Sequence, residues 1–128
     1  MSTKILLVDD DSDIRKLFAK RLETSGFDVI QAANGEDALA QVEAQRPALI
    51  ILDVMLPKLN GYEVCARIKK ARATRNIPII MFTASEPHRQ IEGMEAGANS
   101  YISKLCPPQE LLDRVQQLLA SAPKDDHR

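Results

Sequence analysis

Cysteine is scarce in this chain: Cys65 and Cys106 are the two thiols, and they stand in no metal-ligand or redox spacing. That excludes a disulfide framework and a thiolate metal centre. Cys65 reads as a small residue on a helix face and Cys106 as a loop residue. Long apolar runs are absent too. The N-terminal MSTKILLV is too short in its apolar part for a signal peptide, and nothing later is long enough to span a bilayer. Reduced thiols and a cytoplasmic location are the expectation, with no membrane partner. Nor is there an excess of one charge. Seventeen basic residues against eighteen acidic ones leave a net charge of −1, and aromatic residues make up 4%. No basic run interleaved with aromatics could track a phosphate backbone, which excludes nucleic acid as a direct partner. Repeats and low-complexity segments are missing as well.

What is present is 128 residues, 45% of them hydrophobic, enough for one domain with a real core. Short β-rich apolar runs, ILLV, FDVIQA, LIILDV, IPIIMF and SYIS, alternate with helical patterns. Five strands are predicted. Ile14, Leu17, Phe18 and Leu22 recur at helical spacing after a cap at Ser12, and Gly26 suits the left-handed residue that closes a helix. Asn34 caps a second helix with Glu36 and Asp37 in its first turn, Ala38, Leu39 and Val42 as its inner stripe and Pro47 beyond its end. A third starts near Asn60 with Val64, Cys65 and Ile68 inward, and a fourth near Pro87 with Ile91 and Met94 inward and Gly97 closing it. A fifth starts at Pro108 and carries Leu111, Leu112, Val115, Leu118 and Leu119. The domain is placed at residues 1–122, with 123–128 as a polar C-terminal tail.

Strands alternating with helices imply right-handed crossovers and an α/β, flavodoxin-like three-layer sandwich, with a parallel sheet covered by helices on both faces. LIIL fits a strand buried on both sides. In such sheets a ligand lies at the carboxyl ends of the strands, where strand order reverses. In the order 2-1-3-4-5, strands 1 and 3 are neighbours. Asp9 and Asp10 would then meet Asp53, with Thr83 and Lys104 at the ends of strands 4 and 5. Two carboxylates about 4 Å apart repel by about 4 kcal/mol at an effective dielectric of about 20, so clustered acids that stay ionised need water or a cation. Hard oxygen ligands at a shallow site suit Mg²⁺, with Mn²⁺ as the alternative. A cation beside carboxylates partners phosphoryl oxygens, and phosphoryl transfer needs mainly positioning and charge stabilisation around a nucleophile. Asp53 is the candidate nucleophile, Lys104 a fixed positive charge and Thr83 a hydroxyl donor for phosphoryl oxygens.

From Lys4 to about Ala120 the chain resembles the receiver domain of two-component response regulators, of the stand-alone, chemotaxis-regulator-like type, through ILLVDDD, LIILDVMLPKLNG, IIMFTA and SYISK. That resemblance implies a phosphoacceptor at Asp53 that takes a phosphoryl group from a sensor histidine kinase or histidine phosphotransfer protein. It implies Mg²⁺ on Asp10, Asp53 and the backbone carbonyl of Met55, with Asp9 acting through water. Thr83, Lys104 and the backbone N–H of Ala84 become phosphoryl ligands. Tyr101 becomes the aromatic that repacks as Thr83 moves, changing the helix 4–strand 5–helix 5 surface met by a downstream protein target. No enzyme is expected beyond Mg-dependent self-phosphorylation from a donor and self-dephosphorylation.

Plainer roles are assigned elsewhere. Asp11 and Asp13 are helix-start acids favoured by the macrodipole. Asn60-Gly61 is turn chemistry with Gly61 supplying an unusual backbone angle, Pro57 is a stiff loop element, and His88 and His127 are solvated. Receiver domains usually follow the lysine with a proline joined through a cis bond, whereas this chain reads Lys104-Leu105-Cys106-Pro107. A cis bond before a residue other than proline costs about 2.5–4 kcal/mol, so a trans bond or a rearranged loop is expected, with Lys104 less secure over the site.

Three rival readings share parts of the pattern. A haloacid-dehalogenase-like phosphatase would share the D-x-D of Asp9-Asp10-Asp11, yet Ser12-Asp13 matches its motif poorly and the acidic pair at the fourth strand is missing. A flavodoxin-type binding module needs a Ser/Thr/Gly phosphate loop where DDDSD stands. An unphosphorylated receiver-like scaffold for protein interaction is the third.

Overall fold

The computed structural model describes residues 3–84 and 96–121. Five parallel strands, β1 (Lys4–Val8), β2 (Asp28–Ala32), β3 (Leu49–Leu52), β4 (Ile79–Thr83) and β5 (Ser100–Ser103), form one sheet in the order β2-β1-β3-β4-β5. This is the predicted flavodoxin-like arrangement. Four helices are described: α1 (Ser12–Thr24), α2 (Gly35–Gln45), α3 (Gly61–Lys70) and α4 (Pro108–Ser121). The helix predicted near Pro87 lies outside the described residues, as do His88 and the tail with His127. α4 is thus the helix predicted as fifth.

Because side chains alternate along a strand, each strand feeds two cores. Leu6, Val8, Ile50, Leu52, Ile79 and Met81 pack with residues of α2 and α3 on one face, while Ile5, Leu7, Leu49, Ile51, Ile80 and Phe82 pack with α1 and α4 on the other. All four residues of LIIL are 0% exposed, as a strand sandwiched between two helical layers must be. Each such side chain contributes about 1.5–3 kcal/mol on burial. Phe18 of α1 meets Phe82 of β4 edge to face, with ring centroids 4.9 Å apart.

The helix starts follow from side-chain capping. The Asn34 carboxamide oxygen accepts from Asp37 N at 2.7 Å, and Asn60 and Glu63 form a reciprocal capping box at α3. For α1 the cap falls one residue earlier than predicted. Asp11, not Ser12, accepts from the N–H groups of Asp13 and Ile14. A charged carboxylate is the better acceptor for two donors there, and it also meets the positive end of the helix. Leu17 also departs from expectation, being 48% exposed. Ile14, Phe18 and Leu22, four residues apart, fill the inner line and leave Leu17 at its margin. Gly26 and Gly97 adopt the positive φ predicted for residues that end helices.

Gly61 does not have a positive φ, so its role differs from the predicted turn role. A Cβ there would stand 2.2 Å from the Asp53 carbonyl oxygen and 2.8 Å from Val54 Cα. The start of α3 therefore lies against the backbone at the end of β3, and only glycine permits that approach. At the opposite end of the sheet, the Lys69 ammonium of α3 donates to the carbonyls of Ile77 at 2.7 Å and Arg75 at 3.2 Å and to Asn99 Oδ1 at 2.9 Å. Asn99 Oδ1 also accepts from Ile79 N, tying together the segments that lead into β4 and β5.

Candidate functional site

The carboxyl ends of β1, β3, β4 and β5 deliver Asp9 and Asp10, Asp53, Thr83 and Lys104 respectively to one end of the sheet. Asp9 and Asp53 are 1% and 3% exposed, while Asp10 is open to solvent. One carboxylate oxygen from each of the three acids lies within 4.8 Å of the others. Distant parts of the sequence thus bring three negative groups together, as the predicted strand order requires.

Their repulsion is met in part by Lys104. Its ammonium lies 2.6 Å from Asp9 Oδ2 and 3.0 Å from Asp53 Oδ2. Lys104 reaches both carboxylates although a leucine follows it. No peptide bond among the described residues is cis, as predicted for Lys104-Leu105. The turn is made instead by Ser103, whose Oγ accepts from Leu105 N at 3.0 Å and whose carbonyl accepts from Cys106 N at 3.1 Å. Leu105 itself projects outward, 88% exposed.

The other carboxylate oxygens of Asp9 and Asp53 also have a donor each. Asp9 Oδ1 accepts from Asp11 N at 2.9 Å, and Asp53 Oδ1 accepts from Met55 N at 3.2 Å. Burial pushes the Asp9 carboxyl above the ordinary carboxylate range. The hydrogen bonds from Lys104 and Asp11 pull it back in part, and the Asp53 charge adds to the rise. For Lys104 burial acts downward, but the hydrogen bonds to Asp9 and Asp53 and the charges of those acids prevail, and the ammonium is held above its usual range. The cation therefore stays protonated between the two acids.

Among the other predicted residues, Met55 stands beside Asp53 through its N–H, and its side chain is 62% exposed at the rim. Thr83 is fully buried at the end of β4, in register with Ser103, and its carbonyl accepts from Lys104 N at 2.9 Å. Ala84, next in the chain, is exposed. Tyr101 packs partly buried against the α2–α3 core, in register with Met81. By strand alternation Thr83 and Tyr101 share that face of the sheet. Cys65 is buried inside α3, and burial lifts its thiol to about 11 against the opposing charge of Lys69, so it is a core residue. Cys106 lies in the loop before α4.

Two further residues shape the site, Gly61 in a role other than the turn predicted for it and Arg15 with none predicted. Gly61 sets how closely α3 approaches Asp53. Arg15 of α1 donates from Nη1 to the Asp9 carbonyl at 2.6 Å and from Nε to Gln31 Oε1 at 3.2 Å. A charged residue in the second turn of a helix reads as solvated, and the sole hint was its place one turn after the acidic cluster.

An all-oxygen set with two buried carboxylates and one exposed one suits a hard divalent cation that keeps some of its water. Residues 5–116 match the family model described as the response regulator receiver domain. The chain is 45% identical over 120 residues to the alkaline phosphatase synthesis transcriptional regulatory protein PhoP of Bacillus subtilis, covering 93% of this chain and 49% of that one. It is 42% identical over 116 residues to the phosphate regulon transcriptional regulatory protein PhoB of Pseudomonas aeruginosa, covering 90% and 51%. The chain spans about half the length of these curated relatives. Among solved structures it superposes with a TM-score of 0.87 and 30% identity on a CheY-like response regulator receiver domain protein of Methanospirillum hungatei, covering 94% of this chain and 95% of that one. Chemotaxis protein CheY4 of Vibrio cholerae matches with a TM-score of 0.85 and 32% identity over 91% and 98%. With matched motifs, strand order and acidic cluster in agreement, the chain belongs to the response regulator receiver domain family.

Proposed function

We propose that the chain is the phosphoacceptor of a two-component phosphorelay. An Asp53 carboxylate oxygen attacks the phosphorus of a phosphohistidine on a sensor histidine kinase or histidine phosphotransfer protein. The N–P bond breaks, the imidazole leaves, and an acyl phosphate forms on Asp53. The observation that carries this reading is the convergence of Asp9, Asp10 and Asp53 around the Lys104 ammonium.

Asp10, Asp53 and the Met55 carbonyl would hold Mg²⁺, or Mn²⁺ in its place, with Asp9 acting through water. When bound, the ion neutralises charge on phosphoryl oxygens. The chain's own groups do the rest. Asp53 Oδ1 is fixed by Met55 N, and Lys104, already on Oδ2, supplies a cation to the incoming group. The Thr83 hydroxyl and Ala84 N–H are donors to the other phosphoryl oxygens. The reaction is a single acceptance and later hydrolysis at Asp53, with no turnover of a separate substrate.

Inward movement of Thr83 would draw on the face it shares with Tyr101 and so alter the surface around β5 and α4 where a downstream protein binds. No helix among the described residues is long and apolar enough to cross a membrane. The reading places the protein in the cytoplasm with its kinase partner.

Incubation with acetyl phosphate and Mg²⁺ tests the acceptor. Wild type takes up one acid-labile phosphoryl group and Asp53→Asn none. Full incorporation in the variant moves the acceptor elsewhere. Beryllofluoride with Mg²⁺ should shift the Thr83 and Lys104 amide resonances, and unchanged spectra would favour the unphosphorylated scaffold.

A further inference from the structure

All four polar atoms of Asp9 have a partner. Its N–H is donated to the Ala32 carbonyl at 3.1 Å, Oδ1 accepts from Asp11 N, and Oδ2 faces Lys104. The fourth, its carbonyl oxygen, lies past the point where the sheet can serve it. Asp9 N donates toward β2, so its carbonyl turns to that same side, where the β1–β2 register ends at Val8 and Ala32. Arg15 fills that gap from α1, at a distance short for a charge-assisted hydrogen bond, while Gln31 of β2 holds the other side of its guanidinium.

The Asp9 carbonyl and the Asp10 N–H belong to one planar peptide unit. Whatever fixes that oxygen fixes the direction in which Asp10 leaves the strand. Asp10 is the exposed member of the acidic trio, so the peptide that carries it has a large part in directing it toward Asp9 and Asp53. We infer that Arg15, clamped by Gln31, is a positioning residue that sets the Asp9–Asp10 peptide and thereby aims the Asp10 carboxylate into the cation site.

This rests on the phosphoacceptor reading for the use of the site, but it has its own sign. If Arg15 acted through its charge alone, its removal would relieve repulsion of a divalent ion and tighten binding. If it acts by positioning, removal weakens binding, and a lysine that keeps the charge but loses the fork does not fully restore it. Outer partners that orient a ligand typically carry about 10–100-fold in metal affinity.

The test is Mg²⁺ titration of uniformly ¹⁵N-labelled wild type, Arg15→Ala, Arg15→Lys and Gln31→Ala, followed through the amides of residues 9, 10 and 53. Unfolding of each is measured in chelator. The expected result is about a tenfold or greater loss of Mg²⁺ affinity in Arg15→Ala. Losses in Arg15→Lys and Gln31→Ala should be smaller, and unfolding midpoints in chelator close to wild type. In metal-free Arg15→Ala the Asp11 amide, donated to Asp9 Oδ1, should exchange faster while those of Leu6 and Ile51 do not change. Equal or tighter Mg²⁺ binding in Arg15→Ala overturns the positioning role, as does an affinity loss that only follows loss of folded protein. Wild type that takes up no Mg²⁺ would bring down the phosphoacceptor reading as well, an outcome distinct from wild type binding and Arg15→Ala binding equally.

Discussion

The Lys104 ammonium lies 0.4 Å closer to Asp9 than to Asp53, at 2.6 Å against 3.0 Å, although Asp53 is the proposed acceptor. Asp9 thus anchors the lysine, and Asp53 shares it. Such an arrangement keeps the cation near Asp53 while leaving that carboxylate the looser of its two bonds.

Magnesium should stabilise the fold, because its ligands are assembled in the folded chain and scattered in the unfolded one. At free Mg²⁺ about 100-fold above its Kd the gain is about 2.7 kcal/mol. A thermal melt should rise by several degrees on adding Mg²⁺ and return with chelator. No change would argue that the three acids do not form a cation site.

Lys104→Met removes the charge that bridges Asp9 and Asp53. Both partners are nearly fully buried, so metal-free stability should fall by about 3 kcal/mol. Mg²⁺ should then restore more stability than it adds to wild type, since it no longer shares the acids with a fixed ammonium. Equal Mg²⁺ gains in the two proteins would show that lysine and metal do not draw on the same oxygens.

Gly61→Ala pushes a methyl group into the Asp53 carbonyl and should cost roughly 1–3 kcal/mol. The Asp53 amide resonance should move with it. Gly26→Ala is the contrast: nothing lies within 4 Å of its Cβ, so its cost of about 1–2 kcal/mol comes from backbone strain and leaves Asp53 in place.

These two glycines mark the limit of what the sequence discloses. Gly26 ends a helix, and its need is local, written in the residues just before it. The need at Gly61 arises from the end of β3, which meets α3 only after the chain has folded. Strands were legible because apolar runs stop abruptly at Asp9, Asp53 and Lys104, and those stops are the site. The cap of α1 was misread by one residue because Asp11 and Ser12 both carry acceptors, and which one is extended depends on where the strand lets go. Arg15 and Lys69 carry no mark in the sequence, since the backbone carbonyls and distant amide side chains that accept from them are brought near only by the fold.

Thiol reactivity should separate the cysteines. At pH 8 a disulfide reagent should modify Cys106 first, although burial and the Glu110 charge raise its thiol too, and reach Cys65 only on unfolding. The Cys65 thiol rises from 9.0 to about 11 in the folded chain, so the folded state holds that proton more firmly. Its contribution to stability is intact below pH 9 and is lost as pH climbs toward 11. Lys69 beside it is drawn down by burial and acts in the opposite sense, so the comparison with Cys65→Ala isolates the thiol. Cys65→Ala should decline less steeply in that window, and an identical slope would refute the assignment.

Leu105→Pro deletes the N–H that Ser103 Oγ accepts and should cost about 1 kcal/mol. By constraining the residue before it, the proline should also reorient Lys104 and change the rate of phosphorylation by acetyl phosphate. Equal rates would remove Leu105 from the account of the site. Leu105→Ser, at so exposed a position, should alter stability by no more than about 0.5 kcal/mol.

The Lys69 ammonium, bound by three oxygens, pins the entrances of β4 and β5 to the far end of α3. Those entries lie at the end of the sheet opposite the acids. One end of α3 is therefore committed to holding strand entries by a half-buried charge while its other end, at Gly61, is pressed against Asp53, so a single helix braces the sheet at both ends of its strands.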